Sequence, residues 1–125
     1  MFDIYPPGSS SLISSNESSL IVILQHGDIR MVLPGDAEEN RVLEMLEYPV
    51  SPCDLYKLPH HGRDNYMSAK AIEYLQPRIA VVTAKSVKPL TQAALASIKS
   101  QVFSTAQGTI LAESDGRMIS VDYVE

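Results

Sequence analysis

Basic charge, cysteine and long apolar runs are all scarce in this sequence. It carries 10 Lys and Arg against 15 Asp and Glu, a formal net charge of -5. A surface that holds nucleic acid or an anionic membrane through charge needs a basic field, so this balance argues against both as general roles. The one cysteine, Cys53, excludes an internal disulfide framework. No apolar run approaches the roughly 20 residues of a bilayer-spanning helix, so no membrane segment is expected. The opening MFDIYPPGSSS has neither a basic n-region nor a long apolar core and does not read as a secretory signal. A cytoplasmic soluble protein is the default expectation. Histidine is scarce too, with 3 in the chain, and two of them, His60 and His61, are adjacent.

What is present is enough for one domain over residues 1–125, with 45% apolar residues to build a core. Residues 1–17, rich in Pro, Gly and Ser, read as an irregular lead-in. The β-branched run in Ser18–Gln25 predicts a strand buried on both faces. His26-Gly27-Asp28 is a tight-turn signal, and Ile29–Leu33 is the returning strand. Pro34-Gly35 then breaks the chain. Asp36 is placed to cap a helix over roughly Ala37–Glu47, ended by Tyr48-Pro49 and Ser51-Pro52. Strands follow at Asp54–Leu58, Arg78–Thr83 and Val102–Ser104, and helices at Met67–Leu75 and, behind Pro89, Leu90–Ser100. A last hairpin joins Gly108–Ser114 to Arg117–Tyr123. The pattern predicts an α/β fold, a mixed sheet with helices on one face. Three helices are too few for both faces of such a sheet. Its other face is expected to meet a second copy of the chain or a missing part of the fold.

The chemistry-bearing residues gather at two breaks of similar design. Leu33-Pro34-Gly35-Asp36 ends an apolar strand and opens a helix with a carboxylate. Leu58-Pro59-His60-His61-Gly62 ends the next strand with two imidazoles. Loops at strand ends are where α/β proteins tend to place chemistry. Carboxylate and imidazole are ordinary ligands of zinc and similar divalent ions. Taken by themselves, the same residues serve equally as a helix cap and two loop histidines. Lys57 and Arg63 flank the His pair and could hold a phosphate or carboxylate, or be solvated loop charges. Asp54 could orient a histidine or be a strand-end carboxylate. His26 reads as a solvated hairpin residue, Cys53 as inert, and Met31, Met45, Met67 and Met118 as core filling.

The order SSNESSLIVIL, GDAE, LPHHG and VFSTAQGTI…SDG resembles one family over roughly residues 6–123. It looks like the C-terminal half of a metallo-β-lactamase-fold hydrolase, in the branch related to the hydrolase domain of bacterial DNA-uptake (competence) channel proteins. The resemblance implies half of an αββα sandwich. It implies a dinuclear site for divalent ions, zinc first and manganese second, with metal-bound hydroxide attacking a phosphodiester or another ester. On that pattern Asp36 is the bridging carboxylate, His61 the final imidazole ligand, and His60 its neighbour at the metal or the substrate.

The departures from the pattern matter as well. Asn16 and Ser18 stand where many relatives place a further histidine. Lys88 lies near a position where relatives often show His before Pro, and Arg63 where Ser often follows HHG. The main metal motif, HxHxDH, is missing. The chain is therefore expected to be a half whose partner is the N-terminal half of the same domain. By itself it is expected to be inactive and to bind no metal, and to self-associate through exposed sheet. Nucleic acid becomes a candidate substrate of the parent, and a cell-surface or extracytoplasmic location follows if the parent is a competence-channel protein. A degenerate module with a binding or structural role is the alternative.

Overall fold

The computed structural model describes residues 2–5, 21–35, 44–58, 66–83 and 88–124. Strands β1 (Phe2–Tyr5), β2 (Ile21–His26), β3 (Ile29–Leu33), β4 (Leu55–Lys57), β5 (Ile79–Val82) and β6 (Gln101–Ser104) form one sheet, in that spatial order. The first three pair antiparallel and the last four are parallel. The parallel steps need crossovers, and helices α1 (Tyr66–Leu75) and α2 (Pro89–Ser97) supply those after β4 and β5. Strands β7 (Thr109–Ser114) and β8 (Ile119–Val124) form a separate two-stranded ribbon.

Strand alternation sorts the core into two layers. Ile21, Ile23, Val32, Tyr56, Leu58, Ala80 and Val82 turn to one face, where they pack with Ala71, Ile72 and Leu75 of α1 and Ala94 and Leu95 of α2. Ile29, Leu55, Ile79 and Phe103 turn to the other, where Ile119 and Val121 of the ribbon cover them. Among the described residues both helices thus share one face. Tyr74 anchors α1 by donating its hydroxyl to the Tyr48 carbonyl, and the Cys53 amide donates to the Leu75 carbonyl at 2.8 Å. Pro89 sits in the first turn of α2, where its missing N–H costs nothing.

Several expectations need correction. Phe2–Tyr5 is a strand inside the supposed irregular lead-in. It pairs along β2 from Phe2↔Leu24 to Tyr5↔Ile21, a long-range pairing that the neighbouring Pro6-Pro7 signal conceals. Strand β2 is fully covered on one face only. Ile21 and Ile23 are buried, whereas Val22 and Leu24 are only half-buried. Helix α2 stops at Ser97 rather than Ser100, and Lys99 takes a left-handed φ of 58°. Met45 is buried, but Met118 is 72% exposed at the ribbon's turn and fills no core. Of the helix expected over 37–47, residues 44–45 are helical, and 36–43 lie outside the described residues.

Candidate functional site

Strands β3, β4, β5 and β6 run parallel and adjacent, so their C-terminal ends share one edge of the sheet. The register is direct: Val32 faces Tyr56, and Lys57 faces Val81. Beyond Lys57 the Leu58 amide still donates to the Val81 carbonyl at 2.9 Å, which holds the exit of β4 against β5. Beyond Leu33 the chain passes Pro34 and turns at Gly35, whose φ of 64° suits glycine. Adjacent strands lie about 4.8 Å apart. The segments leading to Asp36 and to His60-His61 therefore leave neighbouring strands at the same edge. Asp36, His60 and His61 themselves lie outside the described residues, as does Arg63. No group of three or more His, Cys, Asp or Glu that could hold a metal ion occurs among the described residues.

The open alternative for Asp54 closes on the structural side. It sits at the N-terminal end of β4, the opposite end from the His pair. Its Oδ2 accepts the Arg30 amide at 2.8 Å. Its Oδ1 accepts Arg78 Nε at 3.1 Å and lies 3.0 Å from Arg78 Nη2. This carboxylate ties three strands together at the edge opposite to the C-terminal ends of β3, β4 and β5.

Lys57 does lie at that edge. Alternation sends Tyr56 into the helix layer and Lys57 to the ribbon side. There Lys57 borders an open cavity of about 670 Å3 together with Met31, Leu33, Leu55, Val81 and the ribbon's Ile110. Its Nζ donates to the Leu58 carbonyl at 3.3 Å. The period-two pattern of Leu55-Tyr56-Lys57-Leu58 carried this signal, but only the strand order shows what the Lys57 side faces. Burial pushes the Cys53 thiol up to about 12, with Asp54 adding to the rise and Arg30 opposing it. Burial likewise drives the Tyr56 hydroxyl well above its ordinary range, with Cys53 adding to it. Tyr56 Oη has no hydrogen-bond partner among the described residues. Both shifts favour the neutral form. His26 is exposed as expected, but it is held: its Nδ1 lies 2.9 Å from Ser114 Oγ on the ribbon.

The chain is 30% identical over 84 residues, 66% of its length, to ComE operon protein 3 of Bacillus subtilis. The chain is thus similar to part of a competence-operon protein. It spans 11% of that relative's length. No protein-family profile matches the chain. No helix among the described residues is long and apolar enough to cross a membrane.

Proposed function

We propose that this chain is part of a metal-dependent hydrolase of the metallo-β-lactamase superfamily, acting on phosphodiester or other ester bonds in a DNA-uptake context. The observation that carries the reading is the parallel pairing of β3 with β4. It sets the C-terminal ends of β3 and β4, the strands that precede the GD and PHHG segments in the chain, side by side, which supports a shared ion. The similarity to a competence-operon protein supports the context.

The donor set fits a divalent ion in kind: one carboxylate, Asp36, and two imidazoles, His60 and His61. It falls short in number of the four ligands that zinc commonly takes, so the remainder would come from elsewhere in the parent. A bound ion would supply an activated water and offset negative charge as it develops on the substrate. The chain's own part is positional. Sheet pairing holds the two strand exits side by side, and Gly35 allows the turn between β3 and the carboxylate. The ribbon-side face left half-open at Val22, Leu24 and Val81 is where the rest of the domain would pack.

The test uses the full-length parent, purified with its metal content measured and assayed on phosphodiester and lactam substrates. Asp36→Ala is expected to abolish turnover and lower bound metal. Turnover at the normal rate in that variant overturns the reading and leaves a binding or structural module.

A further inference from the structure

Strand β7 pairs with β8 along one side, from Thr109↔Val124 to Ser114↔Ile119. Among the described residues no strand pairs with its other side. That side meets the open cavity. Thr109 and Ile110, whose side chains leave opposite faces of the strand, both line it, whereas no described residue of β8 does. The cavity therefore meets β7 at its hydrogen-bonding edge rather than at one of its faces. Met31 and Leu33 of the sheet line the same cavity and are only half-buried. Val22 and Leu24, their partners on β2, are half-buried as well.

An unpaired edge presents a row of free N–H and C=O groups, and proteins that leave one in water usually shorten it, charge it or interrupt it with proline. The outer strands of the sheet, β1 and β6, are short, with 4 residues each. Strand β8 carries Asp122 in its middle. Strand β7 has 6 residues, Thr-Ile-Leu-Ala-Glu-Ser, with no proline or lysine, and its one charge, Glu113, comes near the end. It has the composition of a strand with neighbours on both sides. A ribbon of two strands is also marginal by itself, and a third strand is what ordinarily stabilises one.

We propose that an extended segment of the parent, from outside residues 1–125, adds to this edge of β7 as a third strand. The proposal rests on the reading that the chain is one piece of a larger domain, and not on hydrolysis. The chain spans 11% of its relative's length, so a parent of that build has ample chain to supply the strand. The occupant is a single strand because the edge faces a groove floored by the sheet, where a second copy would have to bring its own sheet along. Backbone hydrogen bonds to β7 would hold the segment, and every second side chain would be apolar and rest on Met31 and Leu33.

Amide hydrogen exchange of β7, compared between the isolated chain and the full-length parent, tests this. In the chain, alternate amides of Thr109–Ser114 are expected to exchange fast. In the parent they are expected to slow by about a hundredfold or more. Leu111→Pro and Ala112→Pro then separate strand pairing from mere covering, because successive amides point to opposite edges and one of the two prolines removes an outer-edge N–H. That variant is expected to speed exchange of the remaining β7 amides far more in the parent than in the chain. Unchanged fast exchange in the parent overturns the proposal. So does a proline pair with equal effects in parent and chain, which marks a cover that makes no backbone bonds. So does slow exchange in the isolated chain that grows with its concentration, which gives the edge to a second copy. A parent whose Asp36→Ala variant turns over normally refutes the hydrolase reading and leaves the exchange result standing.

Discussion

The backbone amide of Asp28 donates to the carbonyl of Gly116 at 2.6 Å. This single bond joins the β2–β3 turn to the turn of the ribbon. His26 Nδ1 and Ser114 Oγ, 2.9 Å apart, close the same junction. Phe103 and Tyr123, with ring centroids 5.3 Å apart, hold the other end of the ribbon, where the Tyr123 hydroxyl accepts the Ser104 amide at 2.8 Å. The ribbon is thus pinned at both ends.

Gly27 is set by this junction twice over. Its φ is +59°, and a Cβ there would stand 2.3 Å from the Gly116 carbonyl oxygen. Gly27→Ala must both strain the turn and displace the ribbon, a loss of about 2–3 kcal/mol. Gly116 also has a positive φ, +92°, but the nearest atom to its Cβ would be His26 Nε2 at 3.7 Å. Gly116→Ala should cost only the backbone term, about 1–2 kcal/mol. Urea denaturation of both variants tests the difference. Equal losses would mean that the close approach at Gly27 is not what couples the two turns.

Asp54 and Arg78 form an ion pair whose partners should be unequal in weight. The Asp54 carboxylate satisfies a backbone amide, that of Arg30, as well as the guanidinium. Asp54→Ala leaves that amide unpaired, a cost of about 1–3 kcal/mol. The Arg78 side chain is 60% exposed, and Arg78→Ala should cost about 1 kcal/mol or less. Denaturation midpoints that fall equally in the two variants would show that the ion pair, rather than the amide contact, is what matters.

Cys53 supplies a pH dependence. Its thiol rises from an ordinary 9.0 to about 12 in the folded chain. The unfolded chain therefore loses this proton first, and stability falls as pH rises from about 9 towards 12. Below pH 9 both states hold the proton and the contribution is constant. A Cys53→Ala chain should lose stability less steeply between pH 9 and 10.5 than the wild type. Native Cys53 should also resist disulfide-exchange reagents at pH 8 until denaturant is added. Rapid labelling of the folded protein, or parallel pH slopes, would show that the thiol is not shielded as the packing implies.

Much of the local structure is written in the residues. The run at 20–24 makes β2, and His26-Gly27-Asp28 turns the chain back into β3, because β-branched residues favour extended backbone and Gly27 accepts a left-handed φ. Pro89 starts α2, and the pattern around Ser114-Asp115-Gly116 makes the last hairpin. These are short-range effects, decided within a few residues. The site was legible only as motifs: GD and PHHG could be read, and each could be placed behind a strand.

Tertiary structure alone decided the adjacency of β3 and β4, which are separated by more than twenty residues and joined by no local signal. It decided the pairing of Phe2–Tyr5 with β2, the docking of a separate ribbon over one sheet face, and the assignment of Asp54 to the N-terminal end of β4. The physical reason is common to all four. Hydrogen bonding between distant strands and the burial of their apolar faces select a partner and a register from many that local preference permits, and that selection depends on the whole packed core.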